Sequence, residues 1–201
     1  LPTEAACRES QVALGKFCEA VEYFPLWPKI SRVHSLVGLS VGALSPRPFS
    51  VLAHRSDAFR RRVAELVETK KFDIIHVDTI ALAQFLDQRW AIPTVLTHHN
   101  IESQLMERRA GAERGLFARL YLRRETKKLV AYEAKLSGMF DVNVFVAQTD
   151  EKTLMEKVPG LRTAIVPNGV DIEYFTPNQG KDWPALIYTG GMNMFANRDA
   201  V

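Results

Sequence analysis

Ile92-Pro93-Thr94-Val95-Leu96-Thr97-His98-His99-Asn100 decides how the chain is read: an apolar, β-branched run that stops abruptly in polar side chains. Such a run, opened by a proline and closed by turn formers, reads as a strand. From Ser103 to about Ser137 comes a long helical region, loosened near Gly111 and Gly115, with Gly138 suited to its C-terminal cap. The same alternation extends both ways. Residues 57–70 (DAFRRRVAELVETK) place Phe59, Val63, Leu66 and Val67 on one side at helical spacing. Asp73-Ile74-Ile75-His76-Val77 reads as a strand and residues 79–88 as a helix. Val142-Asn143-Val144-Phe145-Val146 is a strand, residues 150–157 a helix and residues 163–166 a strand. This order predicts an α/β fold: a parallel sheet with helices on both faces, its crossovers right-handed.

Bulk properties narrow the class. A chain of 201 residues holds one ordinary domain and part of a second. Hydrophobic residues make up 47% and charged residues 24%, the balance of a globular protein. A net charge of +3 is small for this length and gives no warrant for a nucleic-acid partner. Cys7 and Cys18 form neither a CxxC pair nor a metal-ligand cluster, and Asn-x-Ser/Thr sequons are absent. That usage points to a reducing, cytoplasmic setting. Glu4, Arg8 and Glu9 interrupt any signal-peptide core. The apolar run at 35–45 is too short for a bilayer span, which needs roughly 20 residues, and reads as a buried or interfacial helix. Both ends read as cut: no strand precedes the first helix, and residues 197–201 resemble a first helical turn after Thr189-Gly190-Gly191. A fragment of a longer protein is expected.

In an open α/β sheet, ligands bind beyond the carboxyl ends of the strands. His76 and Asp78 sit at the end of one strand; His98, His99, Asn100 and Glu102 follow the next. Gln148 and Thr149 follow the third. The fourth leads into Ile165-Val166-Pro167-Asn168-Gly169-Val170-Asp171, and a fifth, Leu186-Ile187-Tyr188, into Thr189-Gly190-Gly191-Met192. Five strand ends thus deliver polar groups or glycines to one edge. Adjacent strand residues face opposite sides, so at most one of His98 and His99 faces the cleft while the other packs. A blander reading makes Asn100 the cap of the following helix, with Glu102 at its positive end. His76, Asp78, His99 and Glu102 are permissible metal ligands, but their spacing matches no closed zinc pattern and HExxH is absent; no metal is expected. Gly190-Gly191 allows close backbone approach, and a helix start beyond it favours an anion. The alternative there is a tight βα turn.

Charge is uneven along the helical region from Leu105. Arg108, Arg109, Arg114, Arg119, Arg123, Arg124, Lys127 and Lys128 outnumber Glu107, Glu113 and Glu125, with Leu116, Phe117, Leu120 and Tyr121 interleaved. A basic amphipathic helix over 105–128 can make peripheral contact with anionic lipid. A solvated face with intrahelical pairs is the alternative.

Together Phe72-Asp73-Ile74-Ile75-His76-Val77-Asp78, Thr97-His98-His99-Asn100-Ile101-Glu102-Ser103, Val144-Phe145-Val146-Ala147-Gln148-Thr149-Asp150 and the Pro-Asn-Gly-Val-Asp stretch, with Tyr174-Phe175 and Pro177 beyond it, resemble the family 4 glycosyltransferases of GT-B fold. The likeness covers roughly residues 50–201. It implies Rossmann-like domains facing a cleft: an acceptor-side domain over 1–171, a linker over 172–184 and the start of a donor-binding domain over 185–201. It implies transfer of a sugar from a nucleotide-sugar to a saccharide or lipid-linked acceptor with retention, and no cofactor. His99 matches the family's cleft histidine and is the expected catalytic residue, with His76, Asp78, Asn100 and Glu102 on the acceptor side. Asn168 and Gly169 match the loop toward the hinge. Gly190, and with it Gly191, matches the donor-diphosphate turn. Many relatives carry arginine where this chain has Gly191. The glycine-rich first turn and the paired glutamates of the family are missing, so the chain alone is expected to be inactive. A sugar-nucleotide epimerase, a non-catalytic membrane-surface module and a metal-dependent hydrolase are the alternatives.

Overall fold

A computed structural model describes residues 4–24, 42, 44–86, 90–176, 188, 190–192 and 197. Four short strands, β1 (Ile75–Val77), β2 (Thr94–His98), β3 (Val142–Phe145) and β4 (Thr163–Ile165), form one parallel sheet in the order β1-β2-β3-β4. His76 lies opposite Val95, Thr97 opposite Val144, and Phe145 opposite Ile165. The helices are α1 (Glu4–Leu14), α2 (Phe49–Leu52), α3 (Asp57–Thr69), α4 (Glu102–Ala112), α5 (Leu116–Ser137) and α6 (Gln148–Lys157). A 3-10 turn spans Leu82–Leu86.

Local chemistry sets the boundaries. Ser56 accepts the Phe59 N–H at 3.2 Å and starts α3, with Asp57 at its positive end. The second strand begins at Thr94, not at Ile92. Pro93 has no N–H for the ladder, although its carbonyl accepts the Ile75 N–H at 2.8 Å. The helix expected over 79–88 is the shorter 3-10 turn, and residues 87–89 lie outside the described set. The long helical region breaks at 113–115, where Glu113 accepts the Gly115 N–H at 2.8 Å. Most of the apolar run at 35–45 (all but 42, 44 and 45), residues 186 and 187 of the strand expected before Gly190, and most of 177–201 also lie outside the described residues.

Ile75, Val77, Leu96 and Phe145 share one face of the sheet. Val63 of α3, Ala83 and Leu86 of the 3-10 turn and Leu136 of α5 pack on its Val77–Leu96 part; Leu154 of α6 and Ile101 pack on Phe145. Strands laid down in one direction, with crossovers of one hand, bring every connection to the same side. The other face carries His76, Val95, Thr97, Val142 and Val144, of which only Thr97 is buried.

Two acidic side chains sit inside the helical layer. Glu125 accepts the Phe49 N–H at 2.7 Å and the Lys128 ammonium at 2.6 Å, and Lys128 also donates to the Gly42 carbonyl at 2.6 Å. Glu133 accepts the Ser103 N–H at 3.0 Å. Lys128 therefore faces inward and drops out of the basic surface expected over 105–128.

Candidate functional site

Strand parity sorts the histidines at the carboxyl edge. His98 continues the packed face of β2. It is 1% exposed, stacks on Phe145 with ring centroids 4.7 Å apart, and its Nε2 lies 2.9 Å from Asn143 Oδ1. Asn143 Nδ2 donates to the Ser137 carbonyl, which leaves Oδ1 as acceptor and puts the imidazole proton on Nε2. Burial pushes the His98 pKa down, and the Asn143 bond offsets part of that shift.

His99 takes the opposite direction and stands at the open edge. Its Nε2 lies 3.0 Å from Asp78 Oδ1, both side chains being well exposed. One step back along the same face, His76 Nε2 lies 2.7 Å from Thr97 Oγ1. The two contacts are parallel diagonals, each joining a residue at the β1 end to one further along β2. A carboxylate oxygen accepts, so the contact places a proton on Nε2 of His99 and leaves Nδ1 outside this hydrogen bond. Asp78 and His99 form one polar unit, with His76 and Thr97 behind it.

Asn100 is exposed and does not cap α4; the N-cap is Ile101, with no side-chain capping bond. Glu133 of the neighbouring helix takes the Ser103 N–H instead, and Lys157 donates to Ser103 Oγ at 3.3 Å. Glu102 is half-buried beside this group. Burial raises its carboxyl pKa, and the nearby His54 charge pulls it back. Glu133 is likewise raised by burial, against the Ser103 hydrogen bonds. Among the described residues, no three His, Cys, Asp or Glu side chains stand close enough to hold a metal ion.

Beyond β4, the Val166 N–H still reaches the Phe145 carbonyl at 2.8 Å, and the chain then leaves the sheet with Asn168 and Gly169 exposed. Asp171 closes this stretch: its Oδ1 accepts the N–H groups of Glu173 and Tyr174 at 3.0 and 2.9 Å. At Gly190 the backbone lies close to two side chains, which a larger residue would have to displace. A Cβ there would lie 2.9 Å from the Tyr188 ring and 3.0 Å from Asn197 Nδ2. Asn197 donates to the Gly191 carbonyl at 3.0 Å and so braces the turn.

Thr97, read in the sequence as one of the polar residues at its strand end, orients His76, and Asn143, which orients His98, was read there only as part of a strand. The signal for Asn143 was strand alternation, which puts it on the packed face with Phe145. A hollow of about 490 Å³ lined by Arg47, Arg55 and Arg60 contains no strand-tip residue.

No helix among the described residues is long and apolar enough to cross a membrane. No curated protein matches the chain, and no solved structure matches it. A family model described as Glycosyltransferase Family 4 matches residues 22–174, starting before the quoted motifs and ending within Tyr174-Phe175. With three quarters of its length matched, a parallel α/β sheet and the His99 edge in place, the chain belongs to Glycosyltransferase Family 4.

Proposed function

We propose that this glycosyltransferase moves a sugar from a nucleotide-sugar to a saccharide or lipid-linked acceptor with retention at the anomeric carbon. The observation that carries it is the exposed Asp78–His99 pair at the carboxyl edge of a parallel sheet. In this reading residues 1–171 are the acceptor side, 172–184 the linker and 185–201 the start of the donor side. The enzyme works in the cytoplasm, peripheral to a membrane, and needs no metal or organic cofactor.

Transfer breaks the bond between the anomeric carbon and the diphosphate and joins that carbon to the acceptor oxygen. The acceptor proton leaves with a base, and negative charge grows on the diphosphate. Retention requires acceptor and leaving group on the same face of the sugar, or two inversions. Without a metal, backbone N–H groups and a helix N-terminus must stabilise the leaving charge. The Gly190-Gly191 turn is suited to close backbone approach. Nδ1 of His99 is suited to accept a hydrogen bond from a hydroxyl of the sugar or acceptor, and Asp78 keeps the ring oriented. Asn168 and Gly169 lead the chain from the sheet toward the donor side.

The test is product stereochemistry with the full-length protein. Proton NMR of the first-formed glycoside should show the anomeric configuration of the donor. An inverted product, or nucleotide-sugars left untouched with every acceptor class, would overturn the proposal.

A further inference from the structure

The hairpin of α4 and α5 carries a surface that the acceptor-side chemistry does not use. Along α5, Leu122, Glu125, Leu129, Glu133 and Leu136 face inward. The outward stripe begins with Leu116, Phe117 and Leu120, which are 65%, 87% and 66% exposed. It continues with exposed Arg123, Arg124 and Lys127. Apolar side chains thus sit at the tip, with cations one to three turns behind them. Arg109 and Arg114 flank the same tip and are also exposed.

The direction of the hairpin follows from its contacts. Gln104 donates to Thr153 of α6 at 2.9 Å, whereas Arg108, one turn further along α4, acts on Asp150 in the first turn of α6. So α4 runs antiparallel to α6 and parallel to the strands. It reaches the level of the carboxyl edge near Arg108, and Ala112 lies roughly 6 Å beyond. The apolar tip therefore stands at the same carboxyl edge of the sheet as Asp78 and His99.

We propose that this tip docks on an anionic bilayer surface and brings a lipid-linked acceptor to the Asp78–His99 edge. Leucine and phenylalanine enter the acyl boundary while the arginines and lysine meet lipid phosphates. Juxtaposed apolar and cationic side chains fit an anionic interface better than a second copy of the same cationic face, which would repel. The docking step stands on the hairpin alone; delivery of the acceptor rests on the transferase reading.

The experiment is flotation of the full-length protein with vesicles of phosphatidylcholine and phosphatidylglycerol in equal parts, and of phosphatidylcholine alone. The protein should float with the mixed vesicles, fall away with the neutral ones, and detach as salt rises. Two triple variants, Leu116→Ser/Phe117→Ser/Leu120→Ser and Arg123→Glu/Arg124→Glu/Lys127→Glu, should each lower partitioning by about tenfold or more. Both should keep the wild-type unfolding temperature and turnover on a short, water-soluble acceptor. Absence of flotation, flotation unchanged in both variants, or a dimer in sedimentation that the apolar variant dissolves would overturn the docking. Normal flotation with no sugar transfer would leave the docking intact and remove the transferase reading.

Discussion

His98 and His99 are neighbours in the chain and opposites in environment, and stability should register the difference. The folded pKa of His98 is pushed below its ordinary 6.5 by burial. Its contribution is therefore complete above that value and is lost as pH falls, because the unfolded chain takes up the proton first. Glu133 works the other way: burial raises its carboxyl above 4.5, so its contribution is present below that value and fades as pH rises through the folded pKa. Between pH 7 and 5 the two oppose each other. Urea midpoints measured across that range should flatten in His98→Gln and fall more steeply with acid in Glu133→Gln. Three superimposable profiles would show that neither group is held as described. Periodicity made it legible that the two histidines diverge, but not which one packs. That choice depends on Phe145 and Asn143, which lie some 45 residues away and arrive only through strand pairing.

At the scale of elements, α5 is fastened by a carboxylate. Glu125 holds the backbone of α2 and the Lys128 ammonium, with side-chain exposures of 3% and 9% for Glu125 and Lys128. Removing it leaves a buried cation and an unpaired N–H. Glu125→Ala should cost about 3 kcal/mol in chemical unfolding and speed tryptic cleavage at Arg47 and Arg55. Unchanged cleavage and midpoint would rule out the clasp. Charge composition marks this helix as solvated, but Glu125 and Glu133 fall on the stripe of Leu122, Leu129 and Leu136. That stripe was the readable sign of burial. The break between α4 and α5 was visible in Gly111 and Gly115. The 3-10 turn was not, since its apolar residues are equally compatible with an α-helix. Likewise, Asn100 has the chemistry of a cap, but α4 is capped from another helix by Glu133, a contact that no local pattern announces.

For the molecule as a whole, parallel strands do two things at once. They send the connections between strands to one face, where the core forms, and they bring every strand end to one edge, where polar residues collect. The alternation that predicted the sheet also predicted that its strand ends share one edge; the Asp78–His99 contact at that edge is a finding of the structure. The most direct measurement compares transfer and donor binding in the full-length protein and its His99→Ala variant. The account predicts that kcat falls at least about a hundredfold, with the donor Kd held, and that Asp78→Asn gives a smaller loss in the same direction. Transfer at the wild-type rate by His99→Ala would contradict it.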